Sequence, residues 1–125
     1  MRRNIIEITE HGTVIIPDGN IWMNEPELVE LFGVIAPALR AAIKAVYKSG
    51  VLKGYKVQKW IRLENGYNVD VFCFPMIVAL TFRINSFGAE QIRNAILERL
   101  YLRKEKTSIF FSLGRNGIKV SNYQA

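Results

Sequence analysis

The chain has 125 residues and a formal net charge of +6, and half of its residues are hydrophobic. This length and composition suit one small domain with an ample core, and the single Cys73 excludes an intramolecular disulfide. The longest largely apolar run, residues 71–82, is broken by Pro75 and is too short to cross a bilayer, so we expect no membrane partner. No signal-peptide pattern follows Met1, which favours a cytoplasmic location.

Two short runs rich in β-branched residues open the chain, at 5–8 and 13–16, with His11-Gly12 between them. Such runs around a glycine indicate a hairpin, and Pro17-Asp18-Gly19-Asn20 is a turn cluster that closes it. Residues 21–23 then predict a brief strand. The sequence shows no partner group that would make the only histidine, His11, a general base, so we interpret it as a surface residue.

Two helices joined by a tight turn are predicted over residues 24–48. Asn24 and Glu27 have the spacing of a capping box, and Gly33 supplies the left-handed conformation that ends the first helix. The second helix is predicted to begin at about Ala36 and to be stopped by Ser49-Gly50. A helix, a tight turn and a basic second helix are the components of a helix-turn-helix DNA reader.

The second predicted helix begins a segment of concentrated positive charge. Residues 40–62 contain seven lysines and arginines and no acidic residue. Arg40, Lys44 and Lys48 have i, i+4, i+8 spacing, which places them on one stripe of a helix. They are expected to face solvent, with an apolar face behind them formed by Leu39, Ile43, Val46 and Tyr47. A charged stripe is most often only a solvated helix face, and that interpretation stands beside the DNA-binding one.

A second hairpin is predicted directly after the basic helix. Two alternating runs, 57–63 and 67–72, flank Asn65-Gly66, which is the strongest short-range hairpin signal. A hairpin in this position corresponds to the wing of a winged-helix domain.

The predicted wing carries basic residues on both of its faces. Period-two alternation places Arg62 on the face of Trp60 and places Lys59 on the opposite face. Arg62, near the tip, is therefore the expected phosphate contact of the wing. An indole in the position of Trp60 more often covers neighbouring apolar surface than it stacks on a base.

The last third of the chain is predicted to be helical and then extended. Pro75 opens an almost wholly apolar segment that must be buried, and residues 89–106 have the pattern of a longer helix. Residues 108–113 are typical of a strand, which a turn at 114–117 joins to residues 118–120. This hairpin is compatible with pairing to the N-terminal hairpin and with exchange between two protomers, so a homodimer is possible.

Together these patterns predict an α+β fold in one domain, a winged helix-turn-helix core with an N-terminal hairpin and C-terminal helices. The predicted segments of this domain, residues 1–125, are the helix-turn-helix at 24–48, the wing hairpin at 55–74, helices at 75–106 and a C-terminal hairpin or tail at 107–125.

Several short motifs resemble the RhuM-type virulence-protein family of bacterial mobile elements. They are Ile21-Trp22-Met23-Asn24, Leu31-Phe32-Gly33-Val34, Ile43-Lys44, Gly50-Val51-Leu52, and Phe82-Arg83-Ile84-Asn85-Ser86 with Gln91 and Arg93. The resemblance covers about residues 12–103. It implies a cytoplasmic, virulence-associated DNA-binding protein with an N-terminal helix-turn-helix and a possible role in transcription regulation. By position, it implies a reader helix over residues 36–47 with Arg40 and Lys44 as contacts.

The chain departs from that family just after the turn. Family members usually have polar or hydroxyl residues there, whereas residues 35–39 are Ile-Ala-Pro-Ala-Leu. Direct base readout needs bidentate donors, and only Arg40 qualifies. We therefore expect phosphate-dominated, weakly sequence-specific binding of double-stranded DNA, with contacts from Arg40, Lys44, Lys48 and Arg62.

The main alternative to DNA binding is a protein-interaction or dimerisation domain that retains the winged-helix fold. An enzyme is not expected, because the sequence has no Gly-rich phosphate loop, no ligand cluster with metal spacing and no recognisable nucleophile–base pair. We accordingly expect no catalytic residue, no cofactor and no metal. Cys73 lies in an apolar run and is predicted to be an inert buried thiol.

Overall fold

The computed structural model describes residues 4–53 and 56–115, with side chains described as far as Tyr101. Strands and helices are mixed along the chain, so the fold is α+β. In chain order the elements are β1 (Glu7–Ile8), β2 (Val14–Ile15), β3 (Trp22–Asn24), α1 (Glu25–Phe32), α2 (Ala36–Ser49), β4 (Gln58–Arg62), β5 (Asn68–Cys73), α3 (Phe74–Thr81) and α4 (Phe87–Arg115).

The strands form two small antiparallel sheets. β1 and β2 pair with each other, which confirms the predicted N-terminal hairpin. β4 and β5 pair as the second predicted hairpin, and β3 adds to the other edge of β5, giving the order β3-β5-β4. The brief strand before the helices is therefore joined to the hairpin that follows them.

Helix α1 begins and ends where the sequence predicts. The Asn24 side chain accepts a hydrogen bond from the Glu27 backbone N–H at 2.9 Å, and the Glu27 carboxylate accepts one from the Asn24 N–H at 2.8 Å. This reciprocal pair confirms the capping box. Gly33 ends the helix with φ of 66°, in the left-handed region that glycine adopts without strain.

Helix α2 buries Leu39, Ile43 and Val46, as its apolar pattern predicts. Tyr47 was expected on the same buried face, but its side chain is 44% exposed. The Tyr47 hydroxyl donates a hydrogen bond to Gln58 at the start of β4, which keeps the phenol at the edge of the core.

The hairpin β4–β5 turns at Asn65-Gly66, as predicted. The Asn65 side chain accepts a hydrogen bond from the Tyr67 N–H at 3.0 Å, which stabilises the turn. The predicted wing began at residue 55, which lies outside the described residues. Helix α3 follows β5 directly and buries Met76, Ile77, Leu80 and Thr81, so the expected burial of this apolar segment is confirmed.

Helix α4 is anchored to the end of α1. The Ser86 hydroxyl donates to the Phe32 carbonyl at 2.7 Å and accepts from the Ala89 N–H at 3.1 Å, so one side chain caps α4 and holds α1. Gly88 packs against the same backbone: a Cβ placed on it would collide with the Leu31 carbonyl oxygen and lie 3.0 Å from the Phe32 Cα.

The strand predicted at residues 108–113 is wrong, because α4 continues through it to Arg115. An established helix adds residues at little cost, since nucleation is already complete. The β-branched Thr107 and Ile109 carry only a mild helix penalty, and the first glycine after them is Gly114. The second arm of that hairpin, residues 118–120, lies outside the described residues.

The backbone forms two compact units, residues 1–93 and 94–125. The first unit contains both sheets, α1 to α3 and the start of α4, and its core includes Leu28, Phe32, Leu39, Met76, Ile77 and Leu80. In the second unit the described backbone is the helix from Asn94 to Arg115. None of the helices in the part of the chain that the structure describes combines the length and apolar content needed to cross a membrane.

Candidate nucleic-acid interface

The last turn of α2 is fixed to the base of the β4–β5 hairpin. Tyr47 provides the link, because its hydroxyl donates to the Gln58 side-chain oxygen. Burial raises the pKa of Tyr47, and the nearby thiol of Cys73 and carboxylate of Asp70 raise it further. The phenol therefore stays protonated and remains a hydrogen-bond donor at neutral pH.

The exposed basic residues of α2 lie on the side of the helix that carries Tyr47. Lys44 is three residues before Tyr47 and Arg40 is seven before it, so the three residues share one side of the helix. Lys44 and Lys48 are exposed, and neither makes an ion pair with a described residue. Both ammonium groups are available to an anionic ligand.

The hairpin presents Arg62 on one face and Lys59 on the other, as the alternation predicts. Arg62 is opposite Asn68 in the register, is exposed, and has no acidic partner among the described residues. Lys59 has its ammonium group 4.3 Å from the centre of the Trp22 ring, a cation–π contact on the opposite face. The structure therefore places these two cations on opposite faces of the hairpin.

Trp60 is one of the large exposed hydrophobic residues of the hairpin. It shares the face of Arg62, and its side chain is 62% exposed. The expectation that its indole covers neighbouring apolar surface stays a prediction. On β5 the adjacent residues Val71 and Phe72 are both buried, and alternation places them on opposite faces of the sheet.

Arg40, the residue predicted to reach a base edge, already has a partner. Its guanidinium donates to the Glu25 carboxylate, with both Nε and Nη2 lying 3.0 Å from Oε1. Glu25 is the first residue of α1, fifteen positions earlier in the chain, so local spacing gives no sign of this pair. Of the four predicted contacts, Lys44, Lys48 and Arg62 form no ion pair with a described residue, whereas Arg40 is paired with Glu25.

We expect Glu25→Gln to strengthen duplex binding by about two- to five-fold, because it releases Arg40 and removes a negative charge beside it. The slope of log affinity against log salt should steepen by about one unit. Glu30→Gln is the matched control, since Glu30 is an exposed carboxylate of α1 without an ion pair to a described residue. Equal gains from both variants would show that only net charge matters, and fluorescence anisotropy with a labelled duplex measures the difference.

Charge is segregated along the fold. Residues 4–35, which include the N-terminal hairpin and α1, contain six acidic residues and no lysine or arginine. Residues 36–62, which include α2 and β4, contain seven basic residues and no acidic one. A polyanion would therefore be attracted to the α2–hairpin region and repelled by the segments before it.

Cys73 and His11 are the cysteine and the histidine of the chain, and both lie in its described part. Burial raises the pKa of the Cys73 thiol, which keeps it protonated and a poor nucleophile. His11 is exposed and lies 3.7 Å from the carboxylate of its neighbour Glu10. Within residues 4–53 and 56–101, no three His, Cys, Asp or Glu side chains are grouped to hold a metal ion.

Comparisons with protein-family models, with characterised proteins and with solved structures give no match to this chain. The resemblance to RhuM-type proteins therefore stays a prediction. What supports a function is the arrangement of α2 and the hairpin, together with the positions of their charges.

Proposed function

We propose that this chain is a DNA-binding module with a winged-helix arrangement. In this proposal α2 enters the major groove and the β4–β5 hairpin lies as a wing along the adjacent phosphate backbone. The order of strand, helix, turn, helix and hairpin supports it, as does the pairing of β3 with the second hairpin strand. A cytoplasmic bacterial regulator of the RhuM type is the biological setting that the sequence resemblance adds to the proposal.

The observation that carries the proposal is a set of exposed cations on two elements that a hydrogen bond holds together. Lys44 and Lys48 are on α2 and Arg62 is on the hairpin, and the Tyr47–Gln58 bond fixes the helix end against the hairpin base. Because residues 36–62 contain no carboxylate, nothing within this segment offsets the attraction for phosphate.

The same surface favours weak sequence preference. The first turn of α2 is Ala-Pro-Ala-Leu, which offers no side-chain donor to a base edge. Arg40, the nearest candidate, is bound by Glu25. Contacts to phosphates give affinity and orientation but carry no sequence information of their own.

Salt dependence tests the proposal directly. We expect the affinity for random-sequence duplex to fall steeply with salt, because bound phosphates release their counterions. Lys44→Ala should weaken binding to all duplexes alike and flatten the log–log salt slope by about one unit.

Arg83→Ala is the matched control for that experiment. Arg83 is also exposed, and it lies beside Val46 and Ser49, on another side of α2 from Lys44. An unchanged slope in Lys44→Ala, or an equal change in the two variants, would remove Lys44 from the interface. Binding by wild type that does not respond to salt would refute the proposal as a whole.

A protein-interaction domain is the second candidate, and exposed apolar side chains favour it. Val51 is 65% exposed and Phe82 is 53% exposed, and the two line one shallow pocket with Val46 and Ala79. A partner held at such a patch would bind with little dependence on salt, in contrast to DNA. The salt titration therefore separates the two candidates.

A further inference from the structure

Trp60 and Asp70 are exposed and form a cross-strand pair in the β4–β5 hairpin. The Leu63 N–H donates to the Tyr67 carbonyl at 2.8 Å, and the Cys73 N–H donates to the Val57 carbonyl at 3.0 Å. These contacts show that Leu63 and Tyr67 are a hydrogen-bonded pair, and that Val57 and Cys73 are another. Hydrogen-bonded and non-hydrogen-bonded pairs alternate, so Trp60 and Asp70, three positions from each, form a non-hydrogen-bonded pair. Side chains in such pairs are close, with Cβ atoms about 4.5–5.5 Å apart.

Neither side chain of this pair makes a hydrogen bond or ion pair with a described residue, although the Asp70 carboxylate lies near enough to Tyr47 to raise the pKa of its phenol. The Trp60 indole is 62% exposed, and Asp70 is exposed without an ion pair to a described residue. Arg62 is two residues nearer the tip on the same face, which places it roughly 7 Å from Trp60 along the strand. An exposed aromatic ring is therefore adjacent to a carboxylate and a guanidinium that form no ion pair with another described residue.

The faces of bases in a duplex are covered by their neighbours, so an exposed indole can stack only on an unpaired base. Arginine beside the ring suits the phosphate of the same strand. A carboxylate beside the ring repels phosphate but accepts hydrogen bonds from an exocyclic amine, as acidic side chains do from cytosine N4. Thymine and uracil have no such amine.

We propose that Trp60, Arg62 and Asp70 form a stacking site for an unpaired nucleotide whose base carries an exocyclic amine. The inference rests on the proposed function, because it extends the same basic surface from duplex to single-stranded DNA. A duplex on α2 with an unpaired strand reaching the hairpin would occupy both parts of that surface. The wing then distinguishes DNA that has an open end or gap from continuous duplex.

The experiment uses the full chain with oligo(dC) and oligo(dT) of about 12 nucleotides, and with a fully paired duplex of the same length. Tryptophan fluorescence reports stacking, and anisotropy of labelled DNA reports affinity. We expect oligo(dC) to quench the fluorescence and to bind more tightly than oligo(dT). The quenching should be absent in Trp60→Phe, which retains a ring but leaves Trp22 as the only indole.

Two further variants assign the roles. Trp60→Ala should weaken oligo(dC) binding by roughly ten-fold or more, as expected for the loss of one stacked base, and should change duplex affinity by less than about two-fold. Asp70→Asn should reduce the preference for oligo(dC) over oligo(dT), since an amide also donates hydrogen bonds to thymine carbonyls. Circular dichroism checks that both variants keep the fold, which exposed positions should permit.

Two results would overturn the stacking site. One is unchanged oligo(dC) affinity in Trp60→Ala, and the other is wild-type binding of oligo(dT) as tight as that of oligo(dC). Salt-dependent duplex binding without quenching by oligo(dC) would refute the stacking site while supporting the proposed duplex function. Quenching by oligo(dC) without duplex binding would support the stacking site and refute the proposed duplex function.

Discussion

Gly88→Ala is expected to lower the free energy of unfolding by about 2–3 kcal/mol, the cost of forcing atoms into a packed site. The added methyl group would collide with the Leu31 carbonyl oxygen and press on the Phe32 backbone. These are main-chain atoms, so they cannot yield by rotating a side chain. The first turn of α4 would have to move away from α1, and the Ser86–Phe32 hydrogen bond would be strained with it.

The expected loss of stability is opposite in sign to the usual effect of replacing glycine by alanine in a helix. At an open helix position, replacing glycine by alanine stabilises a protein by about 1 kcal/mol. Asn94→Ala serves as the control, because Asn94 is an exposed position of the same helix and should tolerate alanine. Urea titration followed by circular dichroism measures both variants. A Gly88→Ala protein as stable as wild type would show that α4 and α1 do not approach each other this closely.

Arg62→Glu is expected to weaken duplex binding by roughly ten-fold and to reduce the salt slope by at least about one unit. Its natural control is Lys59→Glu, which makes the same change in net charge only three residues away. Lys59 is on the opposite face and its ammonium group rests over Trp22, so its reversal should affect DNA binding much less. The measurement is anisotropy with labelled duplex at several salt concentrations.

Three other outcomes of the wing experiment are informative. Equal losses from the two variants would mean that only the general field of the protein attracts DNA. A larger loss from Lys59→Glu would show that the hairpin docks by its other face. If neither change matters at low salt, the hairpin is not a DNA contact. Because Lys59→Glu also removes a cation–π contact worth about 0.5–1 kcal/mol, thermal melts must first show that both proteins are folded.

The parts of this fold that could be predicted are those encoded by neighbouring residues. Asn24 and Glu27 form their capping box within one helical turn, and Gly33 ends that helix in the conformation for which glycine is suited. Asn65-Gly66 sets the hairpin in the same way. Each of these signals acts over at most four residues, so no knowledge of the tertiary structure was needed to interpret them.

The candidate site was only partly predictable, because its decisive contacts join distant residues. Lys44, Lys48 and Arg62 are exposed as periodicity indicates, but the capture of Arg40 by Glu25 depends on how α1 crosses α2. The exposure of Trp60 likewise depends on which elements of the fold pack against its face of the hairpin. The strand predicted at residues 108–113 is wrong for a different reason. Their composition is typical of a strand, but they extend a helix that is already formed upstream.

The hydrogen bond from Ser86 to the Phe32 carbonyl has a topological consequence. It joins positions 54 residues apart, and every residue of the proposed interface falls between them. Closing a loop of this size costs entropy that grows only with the logarithm of its length, so α2, the wing and α3 tolerate changes in connecting segments. Segments fused before Phe32 or after Ser86 lie outside the loop and leave its length unchanged. For protein engineering, segments added at either end of the chain therefore lie outside the loop that contains the proposed interface.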